Sequence, residues 1–243
     1  MKMDDKLLKS SLTAAIDLSV WKIENKKEKV RKFDETVDFI ANLKDLNLND
    51  PKQRIDLEYL LPNDTITKKL PNVCVIATED ILVEAKKMGV GTLDLDELAA
   101  LDRQEKKSKK KFVKKYEFFI VEGKIMSQFA RYLARFAGPL GKMPKPFPNG
   151  YGIVNSIEDL KTAIERHKKV IRIQIKKQPI IQVKIGKKSM DYDKVFENLK
   201  AFVEFLAEQL PHKYNNLKSA YVKTTMGKAI KIDQDFLKNL KVK

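Results

Sequence analysis

The apolar residues of this 243-residue chain follow two different rules, and the change from one to the other limits the folds open to it. Near the N-terminus, Val37, Phe39, Ala41 and Leu43 alternate with Thr36, Asp38, Ile40 and Asn42. Ile55, Leu57, Tyr59 and Leu61 then alternate with Asp56, Glu58 and Leu60. Period two places one face on a core and leaves the other half-wet, so both stretches predict half-buried strands. After Pro62-Asn63-Asp64 the alternation stops. Val73-Cys74-Val75-Ile76-Ala77 and Glu117-Phe118-Phe119-Ile120-Val121 are near-continuous apolar runs, which suit strands covered on both faces. Each run is followed by a helical pattern, over 79–88 up to Gly89 and over 126–137, which predicts a small α/β domain with a parallel sheet.

Beyond Gly152 the half-buried style returns. Ser156 is an N-cap with Asp159 at capping-box spacing, and Ile157, Leu160, Ile164 and His167 share one helical face. Ile171, Ile173 and Ile175 alternate with Arg172, Gln174 and Lys176, and a hairpin through Lys177-Gln178-Pro179 leads into Ile181, Val183 and Ile185. A long helix over 192–209 turns Val195, Leu199, Phe202, Val203 and Leu206 inward, and a strand from Ala220 to Thr224 closes the chain. An opening helix over 4–18 carries Leu7, Leu8, Ser11, Leu12 and Ala15 on one face. The outer thirds share a style that the middle lacks. The expected architecture is one α+β domain, residues 1–67 plus 151–243, interrupted by an inserted α/β domain over 68–150.

Charge narrows the function. Lys and Arg total 49 against 33 Asp and Glu, a formal +16. Residues 1–67 carry a net −1, 68–150 a net +7 and the remainder a net +10. An excess of this size favours a polyanionic partner, nucleic acid or an anionic membrane surface. Met1-Lys2-Met3-Asp4-Asp5 lacks the basic start and apolar stretch of a signal peptide, and no run of about 18 uncharged apolar residues could span a bilayer. The lone Cys74, inside an apolar run, reads as a buried inert thiol in a reducing compartment, so a cytoplasmic location is expected.

Catalytic constellations are poor. His167 and His212 stand in different contexts, and with one cysteine there is little from which to build a metal site or a Cys/His pair. No metal, cofactor or enzymatic activity is expected. Asp34, Glu35 and Asp38 cluster beside Arg31 and Lys32, where ion pairing is the simpler role. Gly138-Pro139-Leu140-Gly141-Lys142 lacks the spacer, the following hydroxyl and the preceding strand of a phosphate loop. The run Arg103-Gln104-Glu105-Lys106-Lys107-Ser108-Lys109-Lys110-Lys111 reads as a solvated face or as a phosphate-binding strip. Residues 138–152, with four Gly and four Pro, form a stiff loop suited to a functional or hinge role. Tyr221-Val222-Lys223-Thr224-Thr225-Met226-Gly227-Lys228 reads, on pattern alone, as a strand end with a turn, where Gly227 would let backbone approach a ligand.

Thr224-Thr225-Met226-Gly227 resembles the closing motif of the ribosomal protein L-one family, the proteins of the mobile stalk of the large ribosomal subunit. Arg31-Lys32-Phe33-Asp34-Glu35-Thr36-Val37-Asp38, Asn49-Asp50-Pro51-Lys52-Gln53-Arg54-Ile55-Asp56, Leu61-Pro62, Ile185-Gly186 and Glu197-Asn198-Leu199 resemble other blocks of the family in the same order. Gly138-Pro139-Leu140-Gly141-Lys142-Met143-Pro144 is similar to the Gly/Pro loop of its archaeal branch. The blocks span roughly 31–230.

The resemblance implies an α+β split domain with an inserted Rossmann-like α/β domain. It implies binding to the stalk region of large-subunit rRNA, help with release of exit-site tRNA, and in some members repression through their own mRNA. Carried over residue by residue, RNA contacts are expected at Phe33, Thr225, Met226 and Gly227, with Lys177 matching a basic position. Thr224, Lys223, Lys176, Arg172 and Lys32 are expected beside them, with Lys184 adding charge. The chain crossings, at Thr67 and Lys68 and at Gly150 and Gly152, are expected to act as a hinge. The protein is expected to be ribosome-associated, and a monomer off the ribosome. The lysine-rich run over 106–115 departs from the family pattern, so its role stays open.

Overall fold

The computed structural model describes residues 4–19, 32–50, 53–65, 72–146, 150–175 and 178–233. In chain order the first segment contributes α1 (Asp5–Asp17), β1 (Thr36–Leu43) and β2 (Ile55–Leu60). A middle segment follows with β3 (Val73–Ile76), α2 (Glu79–Lys87), β4 (Gly91–Leu93), α3 (Leu95–Arg103), α4 (Lys106–Lys115), β5 (Phe118–Glu122), α5 (Met126–Ala137), β6 (Ile153–Val154) and α6 (Ile157–His167). The last segment holds β7 (Val170–Ile175), β8 (Ile180–Lys187), α7 (Tyr192–Gln209), β9 (Leu217–Thr224) and β10 (Ile230–Lys231). Parallel and antiparallel sheets coexist, and contacts divide the chain into two compact units, Met1–Thr67 with Lys169–Lys243, and Lys68–Lys168.

In the unit formed by the two outer segments, β1 lies between β8 and β9 and is antiparallel to both, with β10 added beyond β9. The alternation of β1 is obeyed residue by residue: Val37, Phe39, Ala41 and Leu43 are buried and their neighbours half-buried. The buried face packs with Leu8 and Leu12 of α1 and with Leu199, Phe202 and Leu206 of α7 in one apolar cluster. Phe39 meets Phe202 edge-on at 5.5 Å between ring centroids, an arrangement that adds to the area they bury. Asn198 of α7 ties the segments together. Its buried Nδ2 donates to the carbonyls of Asn63 (3.2 Å) and Ile185 (2.9 Å), and its Oδ1 accepts the Asn63 N–H at 2.9 Å.

Among the described residues, the expected hairpin between β7 and β8 does not form a ladder. β7 pairs with β2, and β8 pairs with β1. The isoleucines of both strands enter the same core, so their period-two pattern is right while saying nothing about which neighbour completes each ladder. Thr224 is likewise not the end of ordered structure, because Ile230 returns to pair with Val222.

The unit of the middle segment is a parallel sheet in the order β4-β3-β5-β6. Alternate residues of β3 feed opposite sides. Cys74 and Ile76 join α3, α4 and α5, whereas Val73 and Val75 join α2 and α6. That explains the uninterrupted apolar run. Burial pushes the Cys74 thiol up to about 12, as an inert thiol requires. The sequence boundary at 150/151 is displaced. β6 pairs in parallel with β5, α6 packs on α2, and this compact unit runs to Lys168. A strand of two residues carries no readable period, so its membership was not legible.

His167, the last residue of α6, is buried with both ring nitrogens lacking a hydrogen-bond partner, and its ring stacks on Phe118 at 4.4 Å. Burial lowers its pKa from 6.5 to about 4. The unfolded chain therefore takes up the proton first as the pH falls, and stability that is whole above 6.5 drains away towards 4. Urea unfolding at pH 7 and pH 4.5 should show a His167-dependent loss of about 2–3 kcal/mol, and His167→Leu should lose that much less over the same interval.

Candidate nucleic-acid interface

Where β1 begins and β9 ends, three chain segments are bonded edge to edge. The Thr225 N–H donates to the Thr36 carbonyl at 2.9 Å, and the Thr36 N–H donates to Thr225 Oγ1 at 2.9 Å. The Met226 N–H donates to the carboxylate of the buried Glu35 at 3.1 Å, and the Glu35 carbonyl accepts the Lys188 N–H at 2.8 Å. The Asp34 carboxylate accepts both the N–H (3.1 Å) and the hydroxyl (2.7 Å) of Ser189. Lys187 Nζ donates to Thr36 Oγ1 at 2.9 Å. Asp34 and Glu35, two of the acids read as ion-pairing, accept backbone N–H groups and so hold the 32–36, 187–189 and 224–227 segments in register.

Two large apolar side chains project from this polar framework. Phe33 is 52% exposed and Met226 62% exposed, although each is next to or within a segment whose backbone is bonded. Their positions are thus set by the framework and not by burial of their own surface. A presented aromatic ring and a polarizable thioether suit stacking on a base or packing on a sugar.

The two neighbouring motif residues face differently. Thr224 is fully buried, and its hydroxyl has no hydrogen-bond partner. It lies behind the turn and not on the surface. The Gly227 N–H closes the turn by donating to the Thr224 carbonyl at 3.0 Å. Gly227 is not among the glycines with positive φ; instead, a Cβ there would sit 2.2 Å from Thr224 Oγ1. The glycine is needed for close approach within the turn itself.

The open face of the sheet continues the site. Asp38 lies opposite Lys223 on β9 and Lys184 on β8, and Ile40 lies opposite Tyr221 and Gln182. Burial raises the pKa of Asp38, while Lys223 and Lys187 pull it back down. Lys32 is exposed in the segment that enters β1. Arg172 stands elsewhere, on the β2–β7 ladder, where its guanidinium meets Asp56 at 2.8 Å. Lys176 and Lys177 lie outside the described residues, as do Thr67 and Lys68 of the expected hinge. Gly150 and Gly152 are buried in the middle unit, donating to the carbonyls of Pro146 and Lys145 at 3.0 Å each. Missed by sequence reading were Lys187, Lys188 and Ser189, whose only signal was their place at the end of a strand and just beyond it.

The family profile described as Ribosomal protein L1p/L10e family matches residues 25–228, from before Phe33 to just past Gly227. This chain belongs to that family. Among its relatives in the ribosomal protein L1p/L10e family, the large ribosomal subunit protein uL1 of Thermococcus kodakarensis is 36% identical over 206 residues, covering 85% of this chain and 91% of the relative. The proteins of the same name from Methanothermobacter thermautotrophicus and Pyrococcus horikoshii are 34% and 33% identical, covering 83% and 84% of this chain and 91% and 90% of the relatives.

Gly227→Ala should destabilise the outer-segment unit by about 1–3 kcal/mol, because its new methyl meets the Thr224 hydroxyl. Combined with Thr224→Ala, which removes the obstructing atoms, the loss should be smaller than the sum of the two single losses by about 1 kcal/mol or more. Urea denaturation of the four proteins of this cycle checks it; strict additivity would contradict the close-approach account.

Proposed function

We propose that the protein is a structural component of the large ribosomal subunit that binds the stalk region of large-subunit rRNA and has no enzymatic role. The observation that carries this reading is the pair of exposed side chains, Phe33 and Met226, held beside one another's bonded segments at a lysine-flanked sheet face. Lys32, Lys184 and Lys223 supply attraction to phosphate that weakens with salt. Phe33, Met226 and the hydroxyl of Thr225 supply contacts to base, sugar and 2′-OH that distinguish one RNA shape from another. The names of the relatives support placing it in the large subunit and, with it, in the cytoplasm.

The remaining roles belong to the same proposal. The outer segments act as a split RNA-binding domain, and the middle segment is an inserted Rossmann-like domain that reaches exit-site tRNA. The crossings at Thr67–Lys68 and near Lys168–Lys169 serve as the hinge, and the protein, a monomer off the ribosome, also binds its own mRNA.

The test is a salt titration of binding to a large-subunit stalk RNA fragment beside a scrambled RNA of equal length. At physiological salt the stalk fragment should bind about 10³-fold more tightly. Phe33→Ala with Met226→Ala leaves the bonded framework in place and should weaken the stalk complex about 100-fold, from loss of two packing contacts, with little effect on the scrambled RNA. Equal binding of both RNAs, fading together as salt rises, would reduce the protein to a polycation and end this reading.

A further inference from the structure

The lysine-rich run is a helix, and an unusual one to keep ordered. α4 has the sequence KKSKKKFVKK, seven lysines in ten residues, with no acid in its first turn and no side-chain bond at its N-cap, Glu105. Like charges three and four positions apart repel, and Lys106 and Lys107 stand at the positive end of the helix dipole. The rest of the unit holds it from three sides. Val113 is buried in the core, and Phe112 joins Tyr116 and Phe119 in an aromatic cluster. Lys109 pairs with Asp102 at 2.6 Å. Lys142, from the Gly/Pro loop, points its ammonium at the C-terminal carbonyls of Val113 (3.0 Å), Lys114 (3.5 Å) and Tyr116. Desolvation there lowers the pKa of Lys142, with Glu117 opposing the shift.

What this clamping presents is a face of lysine alone. Lys106, Lys110 and Lys114 form one i,i+4 row and Lys107, Lys111 and Lys115 a second, and all six are exposed. Successive members of a row are about 6 Å apart along the helix axis. Among the described residues none of the six is in an ion pair; Lys115 lies over the Tyr116 ring. The neighbouring acid, Asp102, is taken by Lys109 on the inner side.

We propose that the outer face of α4 is a second RNA-binding surface, which grips the phosphate backbone through its two lysine rows. RNA fits better than a protein partner, because the exposed rows offer no aromatic or aliphatic anchor, the feature around which protein interfaces concentrate their binding energy. An anionic membrane fits no better, since the apolar side of α4 is already spent on the core. The surface belongs to the middle unit and shares no residue with the strand-and-turn site, so it stands whichever RNA that site takes. Phosphate binding relieves the repulsion that the fold otherwise restrains, which gives the clamp by Lys142 and Asp102 its purpose.

The experiment uses the full chain with Lys107, Lys110, Lys111 and Lys114 all changed to Gln, a helix former that removes charge without removing length. Binding is measured against an RNA duplex of unrelated sequence over a range of salt. The slope of log affinity against log salt should flatten by about 3, close to one per lysine removed. The same four changed to Arg should keep the slope. A control with Lys86, Lys87, Lys124 and Lys161 changed to Gln removes equal charge from the same unit, at exposed positions of which three face acids. It should flatten the slope by less than half as much. The Gln variant of α4 should also melt no lower than the parent, since it loses only repulsion. An unchanged slope, or equal flattening in the control, would overturn the proposal. So would α4-dependent capture by anionic vesicles with no effect on RNA. Preference for stalk RNA over scrambled RNA, measured on the same variants, reports separately on the strand-and-turn site and should persist in all of them.

Discussion

Everything in the outer-segment unit depends on one arrangement, the insertion of β1 between β8 and β9. Phe39 is opposite Val183 on one side and Val222 on the other, so both ladders join residues far apart in sequence. Neither can form until the chain has returned from the middle segment. The entropic cost of closing such a loop grows only logarithmically, so carrying some 100 extra residues (Lys68–Lys168) adds about 1 kcal/mol over a short connection. One buried face of four strands packed against α1 and α7 outweighs that easily. Hence a separate unit can be carried within a single sheet-forming domain, and its folding rate, more than its stability, bears the burden of non-local pairing.

The same insertion creates the candidate site. Thr36 reaches Thr225 only because β1 and β9 are neighbours, and Asp38 lies between lysines only because both flanking strands come from the basic end of the chain. Asp38, from the acidic N-terminal segment, therefore lies between Lys184 and Lys223 of the basic C-terminal segment. An acidic strand is laid between basic ones, which limits repulsion inside the sheet while leaving its open face rich in lysine. Neutralising Asp38 by burial would remove that balance, and Lys223 and Lys187 act against it.

Most of the helices and strands that build the outer-segment unit were legible because their periods are long. β1 offers eight alternating residues and α7 eighteen with a single apolar stripe. What failed was pairing. The isoleucines of β7 and β8 state which face is buried, yet not that the two strands part to join different partners. β6 was too short to show a period, and the boundary of the compact unit falls after α6, at Lys168. α4 escaped notice because a helix with one buried residue has no apolar stripe to find. At the site, the Thr-Thr-Met-Gly motif was recognisable, but the physical reason for its glycine was not. Gly227 makes room for Thr224 inside the turn, a contact that only the fold reveals.

The two ends of the Gly/Pro loop show how a stiff segment can be structural without being idle. Gly152 lies where a Cβ would press on Pro144, and its carbonyl accepts the Val121 N–H at 2.8 Å, so the loop's return is sewn to the edge of β5. Lys142, near its start, reaches across to the end of α4. A flexible loop would pay the entropy of ordering a long lysine side chain each time that contact formed. Proline at 139 and 144 removes part of that freedom beforehand, placing the ammonium beside carbonyls left without partners at a helix end. The stiffness that Pro139 and Pro144 give this segment and the order of the lysine-rich helix α4 are thus one device. Gly152, Pro139 and Pro144, of residue types that sequence reasoning associates with hinges, here flank the lysine that holds a charged surface in place.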